Sequence, residues 1–180
     1  MKAGPLSAES DLARFEQVIV PHLDAAYNLA RWLTGNDHDA EDVVQEASLR
    51  AFQYFGGFHG GAGRTWFLAI VRNTCFTWLE KHRKRESTAA FDEAMHSPAT
   101  EAANPHELLI RAEDHELLHQ ALEEMPAEFR EMIVLRELEG LSYKEIAGVA
   151  GIPVGTVMSR LARARERLQQ RLIDRMKGDT

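Results

Sequence analysis

Two stretches of the 180-residue chain place reactive side chains at spacings that could do chemistry. His115-Glu116-Leu117-Leu118-His119 matches H-E-x-x-H, in which two histidines one helical turn apart can hold zinc and the glutamate can act as a base. Such a site needs a third ligand. No histidine follows His119, and Glu137 or Glu139 would have to serve without any supporting motif. The histidines also flank the apolar stripe Leu118, Leu122 and Met125, where edge residues of a helix bundle belong. A zinc hydrolase through His115, Glu116 and His119 is therefore a remote alternative, and no resident metal or cofactor is expected. The single cysteine, Cys75, sits between Thr74 and Phe76 on an apolar segment and reads as a packing thiol rather than a nucleophile.

The second stretch is IPVGTVMSRLARARERL, residues 152–168. At 100° per residue Val157, Leu161, Ala164 and Leu168 fall on one face, while Thr156, Ser159, Arg160, Arg163 and Arg167 fall on another. Hydroxyls and guanidinium groups on one side of a helix suit base edges and phosphates. A helical hairpin with solvated arginines is the plainer reading of the same pattern.

Charge is distributed in blocks that the overall −7 conceals. Residues 81–85, KHRKR, carry +4, and residues 129–180 carry +3. Between them, residues 86–128 carry −10, with one basic side chain against eleven acidic ones. No apolar run approaches the roughly 20 residues of a membrane span, the N-terminus has no signal-peptide pattern, and one cysteine fits a reducing cytoplasm. No membrane insertion is expected.

The elements that must position these residues are helices, since strand alternation and hairpin dipeptides are scarce. The pattern predicts a helix from Leu12 to Thr34 stopped at Gly35-Asn36, and a second to about Phe55 capped by Asp39 or Asp37. GGFHGGAG, residues 56–63, breaks the chain, and a third helix follows from about Thr65 to Arg85. Residues 86 to about 105, rich in Ala, Ser, Thr, Glu and Pro, have the composition of a flexible acidic linker. Helix resumes from Pro105 to Met125, reopens at Pro126 and ends at Gly140. Ser142 with Glu145 forms a capping box for a short helix to Ala150, and Gly151-Ile152-Pro153 turns into the basic helix. The expected fold is all-α: an N-terminal bundle of three to four helices over 10–86, a linker over 87–106, and a C-terminal helix-turn-helix domain over 107–176. In that motif the second helix enters the major groove.

In DAEDVVQEASLRAFQYF, residues 39–55, Val44, Ala47, Ala51 and Phe55 share one face. Asp42, Gln45, Glu46, Leu49 and Gln53 share the opposite one, with Arg50 beside it. That face is either a solvated surface or an acidic docking surface with Leu49 as its apolar anchor. The helix after the glycine loop carries Trp66, Phe67, Phe76 and Trp78 and ends in KHRKR. Its aromatics read as packing residues, yet aromatics and cations after a flexible loop also suit single-stranded DNA.

ELEGLSYKEIAGVAGIPVGTVMSRLARARERL strongly resembles the C-terminal promoter-reading domain of bacterial extracytoplasmic-function sigma factors. DAEDVVQEASLRAF is similar to the segment by which these factors grip RNA polymerase. The resemblance covers about residues 12–85 and 107–172 in the expected order. It implies an initiation subunit with no catalysis of its own. Asp42, Gln45, Glu46, Leu49 and Arg50 would bind core RNA polymerase at the clamp helices of its largest subunit, with the second-largest subunit as a further partner. Loop residues 56–65 would form a pocket for an extruded base of the −10 element, with His59, Arg64, Trp66, Asn73, Arg83, Lys84 and Arg85 on the DNA. Pro153, Gly155, Thr156, Ser159, Arg160 and Arg163 would read the −35 element. An anti-sigma factor is a further partner that the resemblance implies, and the −10 charge noted above would let the acidic linker thread a positively charged channel of the polymerase. The chain departs from common family wording at the short loop FHGGAGRTW and at Met158, where many members carry Lys or Arg. A helix-turn-helix regulator that is not a sigma subunit would account for the last 70 or so residues but leave the docking and aromatic-basic helices unexplained.

Overall fold

In a computed structural model, residues 5–86 and 115–178 are described, and all of their regular structure is helical. The acidic linker and the first residues of the expected C-terminal domain lie outside the described residues. The first expected helix is two. Helix α1 spans Pro5–Ile19, a 3-10 turn covers Val20–His22, and α2 spans Leu23–Thr34. Pro21 explains the break, because it has no N–H to donate and its ring crowds the carbonyl four residues back.

Gly35 ends α2 in the left-handed region at φ 89°, its N–H donating to the Arg31 carbonyl. Helix α3, Asp37–Tyr54, is capped by Asn36, not by either of the two aspartates expected. The Asn36 Oδ1 accepts from the Asp39 N–H at 2.8 Å, and the Asp39 carboxylate accepts from Asn36 Nδ2 in return. Asp37 instead accepts from Arg31 Nε at 2.5 Å and from the Tyr27 hydroxyl at 3.1 Å. Helix α4, Gly63–Glu86, follows the glycine-rich bend.

These helices pack through Leu29, Ala30 and Leu33 of α2, Val43, Ala47 and Ala51 of α3, and Phe67, Leu68, Val71 and Cys75 of α4. Val43 takes the buried place, and Val44, expected inside, is half-buried. Cys75 is fully buried, and desolvation pushes its thiol up to about 12. Since the thiolate is the reactive form, native protein at pH 8 should resist alkylation by iodoacetamide until denaturant is added. Rapid labelling without unfolding, read by mass spectrometry, would contradict this.

The C-terminal half begins in the structure with α5 over residues 115–123. Helix α6, Ala127–Ile133, runs into a π-helical turn, Val134–Leu138, and α7 spans Tyr143–Ala150. Gly151, at φ 66°, turns the chain into α8, Val154–Gly178. The predicted capping box is present in full. Ser142 Oγ accepts from the Glu145 N–H, and the Glu145 carboxylate accepts from the Ser142 N–H at 2.8 Å. Val157, Leu161 and Ala164 are buried against Met132, Ile146 and Val149, so the apolar face read from the sequence is the packing face.

The two halves pack on each other, α4 against α7 and α2 against α6. Arg72 of α4 and Glu131 of α6 form a two-pronged ion pair, Nε–Oε2 at 2.8 Å and Nη2–Oε1 at 3.1 Å. Glu131 is completely buried. Arg130 donates to the Trp32 carbonyl at 2.8 Å and to the Glu123 and Met125 carbonyls, tying the start of α6 to the end of α2. Backbone approach is close where Gly148 faces Thr65, whose methyl lies 3.0 Å from the position a Cβ would occupy.

Candidate nucleic-acid interface

Three surfaces carry the residues singled out from the sequence. On α3, Asp42, Gln45, Glu46 and Leu49 all point to solvent, with Arg50 beside them half-exposed. Leu49 stands out at 58 % exposure, and Glu46 and Arg50 pair one turn apart at 2.8 Å. An exposed leucine set among carboxylates gives an apolar anchor with a charged rim.

The second surface runs from the glycine loop along α4. Phe55 and Phe58 turn inward, and Trp66 closes over them with its ring 4.9 Å from that of Phe58. Trp66 is therefore a wall of this aromatic cluster, half-buried, while His59 stands exposed on the loop. Asn73 is exposed, and its Oδ1 accepts from Arg72 Nη1 at 3.4 Å. Arg83, Lys84 and Arg85 are exposed at the end of α4, Lys84 pairing with Glu80 at 3.1 Å. Arg64 differs from the rest. Its Nη2 donates to the Glu139 carbonyl at 2.8 Å and to the Glu139 carboxylate at 3.2 Å, across the boundary between the halves. In this arrangement the Arg64 guanidinium is engaged by Glu139.

The third surface is the start of α8. Pro153, Gly155, Ser159 and Arg163 are exposed, with Thr156 and Arg160 half-exposed. Met158 is also exposed, in the same turn. Arg160 lies near enough to Glu131 to favour its charge, but burial dominates and holds that carboxyl above the usual carboxylate range. The further arginines serve structure as well as charge. Arg165 pairs with Glu137 at 2.5 Å, and Arg171 with Glu124 at 2.7 Å.

The H-E-x-x-H stretch has a different use. His119 lies against the Trp32 ring at 4.9 Å and pairs with Glu123 at 3.3 Å, whereas His115 and Glu116 face solvent. Among the described residues no three His, Cys, Asp or Glu side chains gather as a metal would require. The residues that join the halves, Arg72, Arg130, Glu131 and Glu139, were missed by sequence reasoning. The signal for Glu131 was faint: one acid inside the apolar run FREMIVL.

Comparison with known proteins matches residues 18–85 to sigma-70 region 2 and residues 115–168 to sigma-70 region 4. The chain is 37 % identical over 141 residues to the ECF RNA polymerase sigma-E factor of Escherichia coli K12, covering 74 % of each chain. It is 34 % identical over 164 residues to the ECF RNA polymerase sigma factor SigE of Mycolicibacterium smegmatis, covering 91 % of this chain but only 63 % of that longer relative. Among solved structures, the sigma factor RpoE in complex with the anti-sigma factor NepR from Bartonella quintana superposes with a TM-score of 0.72. The identity is 28 %, over 88 % of this chain and 96 % of that one. CnrH, in complex with the cytosolic domain of CnrY, gives a TM-score of 0.62 at 26 % identity, over 94 % and 95 % of the two chains. With both regions matched in order and their surfaces exposed where the motifs put them, the chain belongs to the extracytoplasmic-function family of RNA polymerase sigma factors.

Proposed function

We propose that this chain binds core RNA polymerase and directs initiation at promoters carrying a particular pair of −35 and −10 elements. The observation that carries the reading is the presence, in one chain, of an exposed acidic α3 face centred on Leu49 and a helix-turn-helix whose polar face is exposed. In this reading region 2, within residues 10–86, docks on the clamp helices of the largest subunit and opens the −10 element. Region 4, within residues 107–176, reads the −35 element and meets the second-largest subunit. Asp42, Gln45, Glu46, Leu49 and Arg50 make the polymerase contact. His59, Arg64, Trp66, Asn73, Arg83, Lys84 and Arg85 serve the −10 DNA, and Pro153, Gly155, Thr156, Ser159, Arg160 and Arg163 the −35 DNA.

Phosphodiester chemistry belongs to the polymerase, and the chain supplies position, affinity and strand capture. It works in the cytoplasm, and an anti-sigma protein is a natural regulator, since one structural neighbour was solved with an anti-sigma factor. Among the described residues no helix is long and apolar enough to cross a membrane. Two small DNA-binding surfaces on a net-negative chain bind promoter DNA weakly alone and become specific when polymerase presents them together.

The test is run-off transcription with purified core polymerase across a promoter-fragment library. Starts should depend on this chain and share one −35/−10 pair. Changing Arg160 and Arg163 to Ala should weaken −35-dependent initiation by about 10-fold or more, as each lost bidentate base contact is worth about 1–3 kcal/mol. Failure to stimulate or bind core would leave the helix-turn-helix as part of an ordinary regulator.

A further inference from the structure

The glycine-rich bend between α3 and α4 is held from outside by α1. Residues 56–62 include four glycines, two of which, Gly60 and Gly61, sit at φ 97° and 102°. Backbone of this kind carries little conformational preference of its own, so its course depends on what grips it. Arg14 of α1 reaches across 44 residues of sequence to donate from Nη2 to the Phe58 carbonyl at 3.1 Å. Its guanidinium also lies 5.3 Å from the centre of the Phe55 ring. Its neighbour Phe15 packs edge-on against Phe52 at 5.2 Å and Phe55 at 5.3 Å. One turn further along, Val18 leaves no room for a side chain at residue 63. A Cβ there would lie 2.7 Å from its Cγ1, and the glycine permits the contact.

The held point is well placed. Phe58 is the buried residue of the bend, directly before exposed His59, and its ring supports Trp66 at the start of α4. Moving the Phe58 carbonyl therefore moves both the rim of the loop and the aromatic wall beneath it. Although much of Arg14 is exposed, its charged end engages this carbonyl and this ring.

We infer that Arg14 is a positioning residue for −10 readout, fixing the loop that receives an extruded promoter base without touching DNA itself. The inference rests on the proposed role of loop 56–65 as that base's pocket. A preorganised loop binds its base without first losing conformational freedom, so release of the loop weakens capture and blurs discrimination.

The experiment uses holoenzyme reconstituted from core polymerase and the full chain, challenged with fork-junction DNA randomised over the −10 bases and with −35-only duplex. Arg14→Ala should lower −10 fork binding about tenfold and flatten base preference at one −10 position. Core affinity and −35 duplex binding should stay as in the parent, and Arg14→Lys, which keeps a cationic donor, should restore most of the preference. His59→Ala combined with Gly60→Ala perturbs the loop directly and serves as the reference. If that loop variant flattens the −10 preference and Arg14→Ala does not, the inference fails while the pocket reading stands. If the loop variant leaves the preference intact, the pocket reading fails and takes the inference with it. Equal losses on fork, duplex and core for Arg14→Ala would reduce Arg14 to a stabiliser of the fold and overturn the inference as well.

Discussion

Changing Arg72 to Ala should destabilise the docked arrangement of the two halves by about 3–5 kcal/mol, the usual result of stripping one partner from a buried ion pair. The geometry supplies the reason. Glu131 is fully buried, and both of its oxygens accept from the Arg72 guanidinium, at 2.8 and 3.1 Å. Without that cation a carboxylate would be left in a poorly solvated place with only Arg160 nearby to favour its charge. Glu131→Gln should cost less, because a neutral amide can stay buried while still accepting from Arg72. Replacing both residues with Met should be near neutral, since similar apolar volume removes the desolvation cost along with the attraction. Urea denaturation of the full chain, with the distance between labels on α3 and α8, would check all three. A loss below 1 kcal/mol for Arg72→Ala would mean that the pair is solvated and the halves are not held by it.

The same pair sets a direction for pH. Burial raises the Glu131 carboxyl above its unfolded value, so between the two values the docked form binds the proton that the unfolded chain releases. Stability contributed by this group is therefore present at low pH and falls as pH rises through the raised pKa. In Arg72→Ala the carboxyl loses its counter-charge and its pKa rises further. The variant should recover part of its loss on acidification from neutral pH, and a deficit that stays constant on acidification would show that Glu131 stays ionised.

Much of this architecture was legible because local chemistry and fold agree. Ser142 and Glu145 made a capping box wherever they were read, Gly35 and Gly151 sit at the positive φ their positions demanded, and the buried stripe of α8 follows from a period of 3.6. The misreadings have local causes. Apolar periodicity carried straight through Pro21, but the backbone cannot. Asn36 outcompeted Asp37 and Asp39 as the cap because it alone lies ahead of the first turn in extended conformation, with φ −149° and ψ 161°. What sequence reasoning could not supply was the contact between the halves. It is built from polar residues whose partners lie 59 to 111 positions away, Arg72 with Glu131, Arg64 and Asn28 with Glu139. The π-helical turn at Val134–Leu138, which delivers Glu139 to Arg64, leaves no signature in apolar spacing either. The candidate site divides along the same line. Exposed faces could be read from periodicity, whereas the engagement of Arg64 by Glu139 required coordinates.

Leu49→Ala should weaken binding to core polymerase about 30-fold, or about 2 kcal/mol, the scale of an interface hot spot. Leu49 lies 58 % exposed in the middle of the α3 outer face, flanked by Glu46 and Arg50, whose 2.8 Å pair holds two long side chains beside it. An apolar side chain surrounded by charges is the part of such a surface that a partner can desolvate, while the acids at its edge set approach and orientation. The two contributions separate experimentally. Leu49→Ala should act mainly on dissociation and change little with salt, whereas Glu46→Lys should slow association and lose much of its effect as ionic strength rises. Neither change should disturb folding, because α3 buries the opposite stripe, Ala40, Val43, Ala47 and Ala51, and exposed substitutions cost within about 0.5 kcal/mol. Titration of fluorescent core polymerase at two salt concentrations gives both numbers. If Leu49→Ala binds core within threefold of the parent chain, the outer face of α3 is solvated surface, and the contact with polymerase must be sought elsewhere on region 2.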